Sequence, residues 1–445
     1  MRARCKCQGC DKPLDRPIKV VGMGSCGVDY LASVAAYPRP DEKLRTETLE
    51  TQGGGNAANA LTAAARLGLS ASLVTKIGGD GLGDGMLSEL RADGIDTSAV
   101  LRAAGHPSPF TYIIVDRTGG TRTCIHTPGA PLEPSEMTPA LLEGVLSDAA
   151  LVYFDGRLTE AAVLLARAAR ARGIPVLVEA ERLRPSLELL LAEADYVVTS
   201  EHFPRDWTGE AGAADAVLAT MERLPRAAWL ITTMGTRGAL LLERPSPAAV
   251  AQAAAAAREA TLEAVVSEEL APALAERKAE RAAEAAAAAV CVSGSGLAIG
   301  AGEVAEAEGW RRLHYSAARD TAQAARQAAA AAERAAALNA DAGRADSYGG
   351  AASAPSSAVE ASSGGVVARV TMASIASIPK EAVVDTTGAG DAFIGSVLYG
   401  LSTGMALMDT LRLAAVVAAC KCTALGARAG LPKRSQLAKE ILGAA

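Results

Sequence analysis

From residue 151 onward, short apolar runs alternate with helix-compatible segments, and that alternation limits the fold more than any other feature of the chain. The runs at 151–154, 175–178, 196–199 and 229–232 read as buried strands, and 159–171, 185–192 and 213–223 between them read as helices. Strands joined through crossover helices pair in parallel and are covered on both faces. The pattern therefore predicts an α/β fold around a central, mostly parallel sheet with helices on both faces. Half of the residues are hydrophobic but only 3% are aromatic, so Ala, Leu and Val must fill the core. Ligands of such sheets bind beyond the carboxyl ends of the strands, which directs attention to the loops there.

One such loop, Asp385-Thr386-Thr387-Gly388-Ala389-Gly390-Asp391, follows a strand-like lead-in and runs into an apolar, helix-compatible stretch at 392–401. Gly388, Ala389 and Gly390 then sit at a helix N-terminus, where unpaired N–H groups hold a phosphate and stabilise charge as a phosphoryl group transfers. Asp391 beside them is placed to accept the proton of a substrate hydroxyl. An ordinary capped turn would use the same residue types.

Glycines open a second helix in Gly53-Gly54-Gly55-Asn56-Ala57-Ala58-Asn59. Asn56 and Asn59 are three apart, so both amides project from one first turn, and with Asp29 they suit a polyhydroxylated ligand. A helix cap and a close-packed Ala/Gly interface form the alternative. Gly22-Met23-Gly24-Ser25-Cys26-Gly27 has the form of a dinucleotide fingerprint, but 28–37 alternates like a strand and Pro38 and Pro40 follow, so the required helix is missing. Asp29 lies just past that turn, facing the ligand crevice. The alternating runs at 110–115 and 121–126 flank hairpin residues, giving a small β lid that carries Arg122, a candidate for neutralising phosphate. Thr233, Gly235 and Gly238 follow the strand at 229–232, where a nucleotide would lie.

A formal net charge of −6 gives no basic field for nucleic acid or an anionic membrane. No apolar run spans a bilayer and no secretory segment follows Met1, so the expected location is the cytoplasm, with a plastid as the alternative. Eight scattered cysteines fit a reducing compartment, and Cys5, Cys7 and Cys10 lack a fourth zinc ligand. Residues 1–17 read as a tail, 18–244 and 366–445 as two segments of one domain, and 245–365 as an Ala-rich, low-complexity insertion. Helices at 252–271, 274–289 and 321–338 are expected there, on the surface or disordered, because few large apolar residues recur at core spacing. Trp310, Leu313 and Tyr315 would give such an arm an apolar handle for a partner. No P-loop sequence is present.

Asp385 to Asp391, paired with Gly54-Gly55-Asn56-Ala57-Ala58-Asn59, resembles the two signatures of the ribokinase-like (PfkB) carbohydrate kinases. The resemblance covers residues 18–243 and 366–432, and softer motifs look closest to ketohexokinase-like and plant PfkB-type members: Tyr37-Pro38, Gly120-Thr121-Arg122-Thr123, Phe154-Asp155-Gly156-Arg157 and Ala180-Glu181-Arg182. It implies that Asp391 is the base, that Gly388, Ala389 and Gly390 form the anion hole, and that Asp29, Gly54, Gly55, Asn56 and Asn59 hold the sugar. It further implies a lid role for Arg122, a nucleotide loop at Thr233, Gly235 and Gly238, and an activating monovalent cation at Asp385 and Thr387. Ser200 and Phe203 stand where family members commonly carry the Asn and Glu that organise magnesium-bound phosphates. Gly27 stands where ribokinases proper often carry Asn, which argues against ribose.

The resulting expectation is transfer of the γ-phosphate of ATP, with Mg²⁺ and K⁺, to a hydroxyl of a small-molecule sugar, in a homodimer formed through the β lid. A nucleoside kinase on the same fold and a non-catalytic scaffold are the alternatives.

Overall fold

The computed structural model describes residues 14–116, 118–119, 121–283, 290–293, 297–316 and 365–443. The cysteine cluster at 5–10 and the helix expected at 321–338 lie outside them. The chain divides into two compact units, one of residues 1–174, 286–302 and 375–445 and the other of 175–285 and 303–374.

The first unit contains β1 (Lys19–Met23), β2 (Gly27–Val34), β3 (Thr48–Gly54), β4 (Ser70–Gly78), β5 (Val100–Ala103), β6 (Phe110–Asp116), β7 (Thr121–Thr127) and β8 (Ala149–Phe154). β8, β1, β4 and β5 lie side by side, all parallel. Continuous burial of Val20, Val21, Met23, Leu73 and Val74 is what a strand covered on both faces requires. β3, β2, β6 and β7 form a separate four-stranded sheet, with β6 and β7 as the expected hairpin. In its register Asp29 is level with Gln52 and Thr111, and Arg122 with Val115 and Ser33. Side chains alternate along strands, so Asp29, Gln52 and Arg122 share one face, while Leu49, Tyr112 and Ile125 are exposed on the other.

Three helices of this unit matter for the site: Asn56–Arg66, Ala389–Thr403 and Leu407–Lys421. The first two press together at Gly395, where an added Cβ would stand 2.5 Å from both Ala60 O and Ala63 Cβ. Asp391 is one turn before Gly395, and Asn59 one turn before Ala63. Close approach at the small residues therefore sets the two polar side chains against each other. Cys291 and Cys420 Sγ atoms touch at 2.8 Å in the same unit, seating β14 (Cys291–Val292) and its partner β15 (Ala298–Ile299) beside the Leu407–Lys421 helix.

The second unit begins with parallel strands β9 (Val176–Ala180), β10 (Tyr196–Thr199) and β11 (Trp229–Thr233), as the alternation predicts. β12 (Ala239–Glu243) and β18 (Val366–Ala373) continue it antiparallel.

In the segment 245–316 helices form at Val250–Ala256 and Ala271–Ala283, partly matching the expected 252–271 and 274–289, but strands and a core form there too, against the expectation of surface helices or disorder alone. β13 (Arg258–Thr261) pairs with β17 (Arg311–His314), and β16 (Val304–Glu306) and β17 both pair with β18. Leu262, Val265, Leu270 and Leu313 are all at most 1% exposed. Leu262, Val265 and Leu270 recur at helical spacing inside the Ala-rich run, which suffices to bury a stripe among small neighbours. Leu313, read as part of a partner handle, is core. Trp310 lies under the Arg369 guanidinium, and Tyr315 donates to Glu222. Among the described residues, no helix is long and apolar enough to cross a membrane.

Candidate active site

The Ala389–Thr403 helix starts at Gly388, whose φ of 76° is open to glycine at little cost. The Ala389 amide turns back to Thr386 O, and Ala392 N donates to Gly388 O. Between them the Gly390 amide has no acceptor among the described residues, and a Cβ added at Gly390 would meet nothing within 4 Å. An open donor at a positive helix end is what an incoming anion needs.

Asp391 stands in that first turn, 8% exposed. Asn59 Nδ2 donates to its Oδ2 at 2.8 Å, and Arg428 Nε donates to Asn59 Oδ1 at 2.8 Å. The guanidinium fixes which way the amide faces, because an arginine has only donors to offer. Arg428 also donates to Gly54 O at 3.0 Å and Glu89 Oε1 at 3.1 Å, so a buried cation is fully engaged. The two asparagines, read as a pair aimed at one ligand, differ. Asn59 faces protein partners, whereas Asn56 is half-buried and its side-chain amide bonds to none of the described residues.

Gly53 and Gly54 leave room for side chains. A Cβ at Gly53 would lie 2.1 Å from Arg428 Nη1, and one at Gly54 would lie 2.3 Å from Asp29 Oδ2. Burial pushes the Asp29 carboxyl above its ordinary value, opposed by a hydrogen bond from Thr111 and the charge of Arg428 and assisted by Asp385 and Glu89. Gly55 caps the Asn56–Arg66 helix with φ 91°.

On the other side of the anion loop, Arg122 Nη1 donates to Thr386 Oγ1 at 3.1 Å. Asp385 Oδ1 accepts from Thr387 N at 2.9 Å and Thr387 Oγ1 at 2.7 Å, and Oδ2 accepts from Gly426 N at 2.8 Å. Lys421 Nζ donates to Asp385 O at 2.6 Å and lies 4.0 Å from Oδ2. Burial alone would raise the Asp385 carboxyl, but the Lys421 charge and the bonds from Thr387 and Gly426 hold it below its ordinary value. Burial likewise draws the Lys421 ammonium down, against the upward pull of Asp385.

Asp391, Asn59, Gly54, Asp29, Arg122, Asp385 and Thr387 thus belong to one unit, while Ser200, Thr233, Gly235 and Gly238 belong to the other. There, Thr233 Oγ1 donates to Thr199 O at 3.2 Å, and Gly238 has φ 91° against Ala373 O. Ser200 Oγ donates to Glu181 O and accepts from Phe203 N. Phe203 is buried and packs against Trp207 at a tilt, and Glu201 pairs with Arg237.

The profile of the pfkB family carbohydrate kinases matches residues 18–298 and 359–434. The chain belongs to that family. A ribokinase of Staphylococcus aureus is 36% identical over 102 residues, which span 23% of this chain and 34% of that protein. The matched stretches cover about a fifth to six-tenths of the first four curated relatives. By fold, the Arabidopsis thaliana ribokinase complexed with ribose and ATP superimposes with TM-score 0.60 at 17% identity, covering 97% of this chain and 100% of that one. A Burkholderia thailandensis nucleoside kinase in complex with inosine gives 0.56 at 17%, covering 95% and 96%. None of these three is a ketohexokinase or a plant PfkB-type protein outside the ribokinases.

Within this pfkB-family chain, the residues fit the expected groups unequally. The open Gly390 amide fits a phosphate. Among the described residues no three His, Cys, Asp or Glu side chains converge on a metal position, so magnesium fits only as an ion held mainly by phosphate and water. At Asp385 and Thr387, where a monovalent cation was expected, both Asp385 carboxylate oxygens and its carbonyl accept hydrogen bonds, the carbonyl from the Lys421 ammonium. Arg428 and Lys421 were not singled out from sequence, and Asp155 was quoted only within a subfamily motif, without a role. Each is a charged residue in an otherwise apolar or small-residue run, and that was the one signal available.

Proposed function

We propose that this pfkB-family chain transfers a phosphoryl group from ATP to a hydroxyl of a small sugar. The observation that carries the reading is Asp391 in the first turn of a helix whose Gly390 amide is open, held from behind by Asn59. ATP, with magnesium, supplies the phosphoryl group when bound.

The Asp391 carboxylate takes the proton from the attacking hydroxyl, and Asn59 keeps that carboxylate aimed as the charge moves. The Gly390 amide and the helix dipole stabilise negative charge gathering beside it. Asp29 and the Asn56 amide orient the sugar, each hydroxyl of which both donates and accepts. Arg122, reaching the loop from the lid sheet, offsets phosphate charge. Thr233, Gly235, Gly238 and Ser200 serve the nucleotide on this reading.

A sugar is favoured over a nucleoside by the lid sheet. Tyr30, Phe110 and Tyr112 cluster on the face opposite Asp29, so among the described residues of the sheet His126 alone offers the Asp29 face an aromatic ring, and its Nδ1 is engaged with Thr111. Exposed Leu49, Tyr112 and Ile125 on that opposite face support a homodimer through the lid.

The test is ADP release with Mg·ATP across a panel of sugars and nucleosides, run beside Asp391→Asn. Turnover of a sugar that the substitution abolishes is the expected result. Turnover of nucleosides alone would replace the acceptor, and failure to bind ATP would remove the kinase reading.

A further inference from the structure

The ammonium of Lys421 is fully buried, and no step of the proposed transfer uses it. It ends the Leu407–Lys421 helix and points at the start of the anion loop, 2.6 Å from Asp385 O and 4.0 Å from Asp385 Oδ2. A buried ammonium survives only where its charge is answered, and here the answering group is the Asp385 carboxylate. A carbonyl oxygen and a carboxylate on one loop are the hard oxygen donors that a weakly bound alkali cation takes. The same loop residue was expected from sequence to hold such a cation.

We infer that Lys421 is the resident cation of this loop: its ammonium occupies the position of an exchangeable monovalent ion and makes the site independent of one. Three observations support this. Every Asp385 carboxylate and carbonyl oxygen already accepts a hydrogen bond, from Thr387, Gly426 or Lys421. Lys421 and Arg122 already face the Asp385 and Asp391 carboxylates, so a further cation would leave net positive charge in a buried place. And the covalent tether removes the translational cost that a free ion must meet each time it binds.

The inference rests on the kinase reading only for its activity readout, so two readouts separate them. First, thermal unfolding of the full chain is followed at equal ionic strength in potassium, sodium and tetramethylammonium chloride. The midpoint is expected to be the same in all three within about 1 °C, since nothing that binds only the native state is present. A saturable rise in potassium alone would overturn the inference.

Second, ADP formation in the same salts is expected to vary less than about twofold. Lys421→Met, which keeps the stem and removes the charge, is expected to lower the rate about tenfold or more and to recover part of it in potassium. Wild-type activity that collapses without potassium would overturn the inference. If Lys421→Met does not fold, the wild-type salt series alone decides. If no acceptor turns over in any salt while the midpoints stay equal, the kinase reading fails and the resident-cation assignment stands.

Discussion

Two helices of the first unit begin with glycines in nearly the same spelling, and the structure finishes them in opposite ways. At the Asn56–Arg66 helix every first-turn amide has a protein acceptor. Asn56 N donates to Ser25 Oγ at 2.9 Å, Ala57 N to Asp155 Oδ2 at 3.2 Å and Ala58 N to Ser25 O at 3.2 Å. Asp155 also takes the Ser25 amide and hydroxyl, both at 2.7 Å, and is 2% exposed. It is a resident anion. At the Ala389–Thr403 helix the Gly390 amide is open and, among the described residues, no carboxylate caps it. A glycine-led helix start is therefore an anion site only where the chain has not already supplied the anion.

The largest effect is expected at the open end. Asp391→Asn keeps the bond geometry but removes the proton acceptor, and kcat should fall about 10²- to 10⁴-fold with nucleotide binding retained. Steady-state kinetics and ATP titration check both halves. A fall in ATP affinity matching the fall in rate would assign Asp391 to binding instead.

At the closed end, Asp155→Ala strips acceptors from Ser25 and Ala57 and should cost about 1–3 kcal/mol of stability, read from urea midpoints. Added phosphate should stabilise the variant more than the wild type, in which only the Ala389–Thr403 terminus is open to it. If phosphate stabilises both equally, the two termini do not differ as described.

Gly390→Ala sharpens the same contrast from the other side. The added methyl has no protein neighbour, so the unfolding midpoint should hold, while KM for ATP or kcat worsens about tenfold because the methyl faces the incoming phosphate. Lost stability would mean that the terminus is closed after all.

The smallest effect concerns pH. Asp385 has a folded value below its ordinary one, so it contributes stability that is complete above about pH 4 and disappears as pH falls through the lower, folded value. The urea-midpoint gap between wild type and Asp385→Asn should be constant from pH 8 to 5 and narrow below pH 4. A gap that widens on acidification would reverse the sign.

The parallel strands of both units, the lid hairpin and the helix starting after Gly388 were readable because each is written locally, in period and punctuation. What the glycines at 53–55 are for was not. Arg428 and Asp29 fill the space those glycines leave, and both arrive from distant sequence, as does Asp155 at the helix start. Lys421 looked like the polar end of an apolar helix, since nothing near it in sequence names Asp385 as its partner. The Ala-rich 245–316 segment misled for a related reason: strands as short as β16 and β17 take their stability from β18, more than fifty residues away, and β13 pairs with β17 about fifty residues on.

The hydrogen bond between Asn59 and Asp391 joins residues 332 positions apart. A ribosome making this chain releases the first helix of the site long before the second exists, and Arg428, which orients Asn59, later still. Contacts of such separation close late in folding. On the proposed reading, a chain ending before residue 391 lacks the proton acceptor, and one ending before residue 428 lacks the guanidinium that orients Asn59.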